Sequence, residues 1–139
     1  MTTQVNRISA VTLLIHNMEK SCNFYSQIPG FRLAYGGSSE DIFTTFEIGK
    51  EVPRMCLNLE LTTTAISNSE HCRKHFGRII FHTEDVDKLY SYMKSNPNIS
   101  NIVSFENEPL DALWGERYFH IREPDGYQLS FAMPLKSRA

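Results

Sequence analysis

The sequence predicts an α+β fold built from two copies of a β-α-β-β-β module. Three observations predict it: an internal repeat, two capped amphipathic helices at matching places, and three further strand patterns behind each helix. Residues 10–20, AVTLLIHNMEK, align with residues 78–88, RIIFHTEDVDK, at an offset of 68 residues. Each stretch is an apolar, strand-like run followed by a helix-capping residue, which indicates a duplicated supersecondary unit.

The two helices are predicted from their caps and from their apolar spacing. Asn17 and Asp85 occupy equivalent places in the repeat, and both are preferred N-cap residues because their side chains accept a hydrogen bond from an orphan helix N–H. Residues at i, i+3, i+4 and i+7 then direct one stripe of each helix towards a sheet. The stripes are Met18, Ser21, Cys22 and Tyr25, and Val86, Leu89, Tyr90 and Met93. Gly30 ends the first helix, and Asn96-Pro97-Asn98 ends the second.

Three strand patterns follow each helix. They are Phe31–Tyr35, Phe43–Ile48 and Met55–Leu61 in the first half, and Ile102–Phe105, Arg117–Ile121 and Tyr127–Met133 in the second. The last two are joined by Glu123-Pro124-Asp125-Gly126, in which proline pre-sets φ for a turn and glycine accepts the positive φ that closes it. We therefore predict one domain over residues 1–139, with modules at 6–62 and 77–134 and a polar linker at 63–76.

Composition places the chain among ordinary globular proteins. It is 41% hydrophobic and 22% charged, and its net charge of −2 comes from acids and bases mixed along the chain, which is unlike the basic face that nucleic-acid binding requires. No apolar run approaches the ~20 residues of a membrane span, and the first residues lack a signal-peptide pattern. Three widely spaced cysteines, Cys22, Cys56 and Cys72, are typical of a reducing compartment. We expect a cytoplasmic protein that binds neither nucleic acid nor a membrane.

Two stretches resemble the vicinal-oxygen-chelate superfamily, which includes glyoxalases, bleomycin resistance proteins and dioxygenases. The first runs from Val11 through Met18-Glu19-Lys20-Ser21 to Phe24-Tyr25, and is similar to the family's first strand, helix start and FY pair. The second, WGERYFHIREPDGY over 114–127, is similar to the family signature W-G-x-R-x-F-x-x-x-D-P-D-G, with Glu123 in place of aspartate. The resemblance covers residues 7–134. It implies curled mixed sheets that pair around a cavity and, by analogy, a homodimer.

The resemblance also implies four metal-ligand positions, on the first and last strands of each module. Transferred residue by residue, these positions hold Ala10, Asn58, Arg78 and Ser130. A divalent transition metal needs several His, Glu, Gln, Asp or Cys ligands, and the permanent charge of Arg78 would repel the ion. We therefore expect neither the family's metal nor another cofactor.

Strand alternation assigns other side chains to the expected cavity. An arginine with two histidines favours a carboxylate, phosphate or enolate-like group, and Trp114 can close over an apolar part of a ligand. The predicted ligand-binding residues are Arg78, Tyr118, Asn58, Trp114 and Ser130, and the candidate catalytic residues are His82 and His120. The alternative interpretation is structural: the two histidines hydrogen-bond to neighbours, and Arg78 pairs with Glu47 or Glu60.

Several functions are compatible with these residues. The first is a metal-independent protein that binds a small anionic or aromatic molecule. The second is a metal-independent lyase or isomerase in which His82 or His120 is a general base and Arg78 stabilises an oxyanion. The third is a metal-dependent glyoxalase or dioxygenase with relocated ligands such as His82 and His120, and the fourth is an interaction module with a vestigial cavity. The pair His71 and His75 is a further metal candidate that lacks a third ligand.

Overall fold

The computed structural model describes residues 2–62 and 76–135, which belong to two compact units, residues 1–63 and 64–139. The first unit contains β1 (Ala10–Ile15), α1 (Met18–Ser26), β2 (Phe31–Tyr35), β3 (Phe43–Ile48) and β4 (Met55–Leu61). The second contains β5 (Arg78–His82), α2 (Val86–Ser95), α3 (Pro97–Ser100), β6 (Ser104–Phe105), β7 (Leu110–Asp111), β8 (Glu116–Arg122) and β9 (Gln128–Pro134). None of the described helices has the length and apolar character needed to cross a membrane.

Both units have the same mixed sheet topology. The first sheet has the strand order β1-β4-β3-β2, and the second has β5-β9-β8-β6 with β7 also paired to β8. In each sheet the first strand is parallel to the last, and the other pairs are antiparallel. The parallel pair requires a crossover connection, and α1 and α2 lie within those connections. The α+β fold with two similar mixed sheets is thus confirmed.

The predicted caps and buried stripes are also confirmed. The Asn17 side chain accepts the Lys20 N–H at 2.9 Å, and the Asp85 side chain accepts the Lys88 N–H at 3.0 Å. The predicted stripe of α1 is buried along its whole length, whereas in α2 only the first and last members of the stripe, Val86 and Met93, are fully buried. Each helix therefore covers one face of its own sheet.

Aromatic packing holds α2 against the second sheet. The Phe119 ring is fully buried, and its centroid lies 5.2 Å from Tyr90 of α2 and 5.3 Å from Phe131 of β9. Offset and edge-to-face aromatic pairs at such distances stabilise the fold by more than the apolar area they bury would give. Because Phe119 points towards α2, its neighbours Tyr118 and His120 point to the opposite face of the sheet.

Two predictions about the second unit were incomplete. Asn96-Pro97-Asn98 does end α2, but it also starts α3, because the Asn96 side chain caps the Asn98 N–H at 3.0 Å and Pro97 fits the first helical turn. The strand predicted at Ile102–Phe105 is only two residues long, and β7 follows after a break. The linker's His71, Cys72 and His75 lie outside the described residues.

The break between β6 and β7 lies beside His120. β6 pairs with β8 at Arg122 and Ile121, β7 pairs with it at Tyr118 and Arg117, and residues 106–109 leave the sheet between them. The Asn107 side chain accepts the His120 N–H at 2.9 Å, and the His120 carbonyl accepts the Glu106 N–H at 2.9 Å. The Asn107 side chain thus takes the place of a main-chain acceptor for the His120 N–H, and the strand pairing is interrupted here as it is at a β-bulge.

Candidate functional site

The second sheet has an open face, opposite α2, on which side chains from three strands form three transverse rows. The strand register gives these rows as Tyr118, Ala132 and His82; His120, Ser130 and Ile80; and Arg122, Gln128 and Arg78. The predicted cavity-facing residues of this module therefore share one face. His82 lies on the edge strand β5, next to Ala132, and is exposed.

The central strand of this face carries small side chains between larger ones. Ser130 and Ala132 on β9 are 2% and 4% exposed, whereas Ile80 on β5 is 58% exposed. The two small residues lie between the larger side chains of β8 and β5; we call this strip of the sheet face the trough, and the two small residues its floor. Ser130, predicted to bind a ligand, is therefore part of the floor and has little exposed surface of its own.

The β8 side of the trough is a continuous aromatic wall. The Trp114 and Tyr118 rings are stacked with centroids 6.1 Å apart, and the Tyr118 ring lies 4.8 Å from the His120 ring. Trp114 is 67% exposed, and its Nε1 donates to Glu116 Oε1 at 2.9 Å, which fixes the ring orientation. A flat apolar group can stack on this wall at little conformational cost.

Arg117 holds the hairpin that carries this wall. Its guanidinium donates to both carboxylate oxygens of Asp87 in α2 at 2.8 and 2.9 Å, and to Asp111 in β7 at 2.9 Å. Planar bidentate pairs of this kind fix geometry as well as adding energy. The loop with Trp114 is therefore tied at its base to both a helix and a neighbouring strand.

His120 has an unsatisfied nitrogen inside the wall. Its Nδ1 is buried and has no hydrogen-bond partner among the described residues. Burial lowers the pKa of His120, and the positive charges of Arg78 and Arg122 lower it further against the opposing effect of Glu106. The imidazole is thus neutral near pH 7, and an unpaired buried polar atom costs about 1–3 kcal/mol.

The lowered pKa of His120 predicts a pH-dependent stability. In the unfolded chain His120 binds a proton at the ordinary pKa of ~6.5, whereas in the folded chain it binds one only at lower pH. The folded state is therefore favoured by neutral His120 above pH ~6.5, and this contribution to the free energy of unfolding is lost as the pH falls through the folded-state pKa. We expect denaturant titrations across this range to show a steeper loss of stability in the wild type than in His120→Gln. His82→Gln, on the exposed edge strand, is the matched control, and equal slopes for all three proteins would contradict the prediction.

The end of the trough next to Arg78 is charged. Arg78 Nε donates to Gln128 Oε1 at 2.8 Å, Gln128 Nε2 donates to Glu106 Oε1 at 2.8 Å, and Arg122 Nε donates to Glu106 Oε2 at 3.0 Å. This arrangement includes two permanent cations and one carboxylate, so it favours anions. Of the alternative partners considered for Arg78, Glu47 has its own cation in the first unit, 3.9 Å away on Arg32.

The equivalent row of the first sheet is closed by hydrogen bonds. Asn58 lies between Thr12 and Thr45; its Nδ2 donates to Thr12 Oγ1 at 3.2 Å, and its Oδ1 accepts the Thr45 hydroxyl at 2.8 Å. In the second sheet the same places hold Ile80, Ser130 and His120. In this row the first unit satisfies the central amide internally, whereas in the second unit the buried His120 Nδ1 has no hydrogen-bond partner among the described residues.

The four positions implied for a metal do not fit one. Ala10 supplies a methyl group, Asn58 an amide that is already hydrogen-bonded, Arg78 a cation and Ser130 a hydroxyl. Elsewhere within residues 2–62 and 76–135, no group of three or more His, Cys, Asp and Glu side chains lies together. His82 and His120 therefore have no third ligand of these types in the described part of the chain.

Glu106, Asn107 and the role of Gln128 were not predicted from the sequence. The segment from 106 to 109 is polar and has no strand or helix periodicity, so it carried no signal beyond that of a loop. Gln128 could be placed on this face by alternation, but its partners are Arg78 on β5 and Glu106, which directly follows β6. Only the strand register could have brought these residues together.

Comparison with known proteins decides the family. A family model described as "Glyoxalase/Bleomycin resistance protein/Dioxygenase superfamily" matches residues 7–131. The chain belongs to this superfamily. No curated protein matches the chain.

Many solved structures share the superfamily fold. A superfamily member from Sphaerobacter thermophilus DSM 20745 has a TM-score of 0.63 at 21% identity, over 92% of this chain and 97% of that one. TnmS3, an antibiotic binding protein from Streptomyces sp. CB03234, has a TM-score of 0.65 at 18% identity, over 96% and 99%. TioX from Micromonospora sp. ML1 has 0.64 at 15% identity, over 94% and 100%. At these identities the likeness shows the fold alone.

Proposed function

We propose that the protein binds a small molecule with a flat apolar part and an anionic group, without a metal ion, in the trough of the second sheet. The observation that carries the proposal is the aromatic wall of Trp114, Tyr118 and His120, which is followed on the same sheet face by the row that contains Arg78. Stacking surfaces combined with a few placed polar groups are typical of small-molecule sites.

Each group has a separate role in this proposal. Trp114 and Tyr118 stack on the flat part of the ligand, and Ile80 contacts it from the opposite side. The His120 ring continues the stacking surface, and the two terminal nitrogens of Arg78 bind the anion. Asn58 in the first unit remains a proposed contact, although its amide is already bonded on both sides.

The comparisons support binding as a function that this fold can perform. One structural neighbour is described as an antibiotic binding protein. The superfamily also includes enzymes, so the fold itself does not choose between binding and catalysis. The poor fit of the four implied positions to a metal favours binding over the superfamily's metal chemistry.

Trp114 allows a direct test, because it is the chain's single tryptophan and belongs to the proposed site. We expect saturable changes in its fluorescence with aromatic carboxylates or phosphates, and loss of those changes in Tyr118→Ala. Leu113→Ala, which truncates a neighbouring, fully exposed side chain, is the matched control. Folded protein that gives no saturable response to any aromatic acid would contradict the proposal and favour an interaction module.

A metal-independent lyase or isomerase is the second candidate. It is favoured by the lowered pKa of His120, which keeps the imidazole unprotonated beside a permanent cation, as a general base next to an oxyanion stabiliser requires. Incubating each bound compound with the protein and following it by NMR tests this. We expect His120→Gln to abolish any turnover while binding persists. The same measurement on His82→Gln tests whether the second histidine contributes.

Two further properties are proposed by analogy with the superfamily. We propose that the chain forms a homodimer and that it works in the cytoplasm. Sedimentation equilibrium tests the first property, with a mass of twice 16.0 kDa expected. Imaging of the tagged protein in its own cells tests the second.

A further inference from the structure

Arg78 is the first member of a chain of hydrogen-bonded side chains, called the relay below, that continues through Gln128 and Glu106 to Arg122. Arg78 is exposed, and its guanidinium is held at Nε by Gln128 Oε1 at 2.8 Å. Among the described residues no other hydrogen bond to this guanidinium is formed. The two terminal nitrogens are therefore free to bind an anion in a fixed direction.

Gln128 can hold Arg78 only in one orientation of its amide. The arginine has donors and no acceptor, so the amide oxygen must face Arg78 and the amide nitrogen must face away. If the amide turned over, its N–H₂ would face the Arg78 Nε–H, and two donors would be opposed. Something on the far side of Gln128 must therefore fix the amide.

Glu106 is the group on the far side. Although desolvation opposes ionisation, the hydrogen bonds from Gln128 and Arg122 hold the pKa of Glu106 below its usual value. An ionised carboxylate only accepts hydrogen bonds, so it selects the nitrogen of Gln128, which it contacts at 2.8 Å. Arg122 in turn holds the second carboxylate oxygen at 3.0 Å.

We propose that Glu106 is a positioning residue that orients the Gln128 amide and, through it, presents the Arg78 guanidinium to an anionic ligand. The effect on ligands rests on the proposed function, whereas the relay itself exists in the free protein. Glu106 does not touch the ligand in this proposal, since its carboxylate is occupied by Gln128 and Arg122.

The relay predicts an effect opposite in sign to that of simple electrostatics. Glu106→Gln removes a negative charge near the anion site, so through-space electrostatics alone would strengthen the binding of an anion. In Glu106→Gln the new amide can donate as well as accept, so it no longer fixes the orientation of the Gln128 amide. The Arg78 guanidinium then loses its fixed orientation. We therefore expect weaker anion binding in spite of the more favourable charge.

The double variant Glu106→Gln/Gln128→Glu provides the rescue. Its carboxylate, now at 128, accepts from Arg78 Nε and from the new amide at 106, whose oxygen accepts from Arg122. Every hydrogen bond of the relay can be remade at the same net charge. Glu108→Gln, which removes one charge from the same loop, is the matched control for charge.

The first experiment needs no ligand. In ¹⁵N-labelled protein, the Arg78 Nε–H signal, assigned by its absence in Arg78→Lys, is expected to exchange slowly with water because it is bonded to Gln128. We expect Glu106→Gln to speed its exchange by about tenfold, in line with one lost charge-assisted hydrogen bond, and the double variant to restore it. Unchanged exchange in Glu106→Gln, at an unchanged melting temperature, would overturn the relay whether or not any ligand binds.

The second experiment uses 2-naphthoate and 2-naphthamide, which have the same shape and differ in charge, in calorimetric titrations. We expect Glu106→Gln to weaken naphthoate binding by about tenfold, from the loss of a fixed charged donor, and to leave naphthamide within about twofold. Tighter naphthoate binding would show that only charge matters and would overturn the inference. If neither compound binds the wild type, the proposed function fails for this ligand class, and the exchange measurement alone decides the relay.

Discussion

Replacement of Arg78 by methionine is expected to weaken the binding of an aromatic carboxylate by about 30-fold. A cation that donates two hydrogen bonds to the carboxylate is lost; because Arg78 is exposed and water screens the pair, we count about 2 kcal/mol for both bonds together, in the range of a single charged hydrogen bond. Methionine keeps a similar length and an apolar stem, so stacking on Trp114 and Tyr118 is retained. The matching carboxamide should therefore bind the variant within about twofold of the wild type.

The measurement is a pair of calorimetric titrations, with the carboxylate and the carboxamide, on Arg78→Met and on Arg32→Met. Arg32 lies in the first unit beside Glu47, so its replacement removes the same charge from the chain and leaves every residue of the trough unchanged. Equal losses for both ligands in Arg78→Met would assign Arg78 a packing role. A loss in Arg32→Met as large as in Arg78→Met would indicate long-range electrostatics instead of a local anion site.

The same variant has a readout that needs no ligand. Because the positive charge of Arg78 is one of the causes that lower the pKa of His120, its removal should move that pKa back towards the ordinary value. An NMR titration of the His120 ring measures the shift. An unmoved pKa would mean that the arginine and the histidine do not share one site.

The fold was predictable because its signals are local and occur twice. Asn17 and Asp85 each mark a helix start, and the apolar stripes behind them have a period that only a helix uses. The offset of the repeat then shows which strand of one unit is equivalent in sequence to which strand of the other. The short helix α3 was not predicted, because Pro97 was interpreted only as the end of α2, although proline is equally suited to begin a helix.

The site was predictable only in part. Alternation along β5 and β8 places Arg78, His82, Tyr118 and His120 on one face, because side chains along a strand point alternately to its two faces. Alternation does not show how deeply a residue lies, so the near-complete burial of Ser130 could not be predicted, and its contact with a ligand stays a prediction. Nor does it show the relay through Glu106, whose partners are 16 and 22 positions away along the chain.

Comparison of the two units indicates why we propose the site in the second. The duplicated row contains a hydrogen-bonded amide in the first sheet, where Thr12, Asn58 and Thr45 satisfy one another. In the second sheet the central residue is Ser130, whose side chain is shorter than that of asparagine, and the buried Nδ1 of the neighbouring His120 has no hydrogen-bond partner among the described residues. The shorter central side chain thus leaves the row without the hydrogen-bond chain of the first sheet.

Replacement of Glu123 by alanine is expected to lower the free energy of unfolding by about 3 kcal/mol, since two hydrogen bonds to a carboxylate are lost, one of them buried and one part-buried. Glu123 is only 3% exposed, and its Oε1 accepts the Asp125 N–H at 2.6 Å and the Tyr127 N–H at 3.2 Å. The turn between β8 and β9 therefore relies on this side chain as the acceptor for two of its backbone N–H groups. Denaturant unfolding of the variant measures the loss.

Two conservative variants separate the causes. Glu123→Gln keeps an acceptor without the charge, and should lose about 1 kcal/mol, the difference between charged and neutral hydrogen bonds. Glu123→Asp introduces the residue that the superfamily signature has here; it can still bond to the N–H two residues on, so it should be less destabilising than alanine. If alanine proved as stable as aspartate, the turn would be held by Pro124 and Gly126 alone. Because β8 and β9 carry His120 and the floor of the trough, a weakened turn should also reduce ligand binding in proportion to the folded fraction.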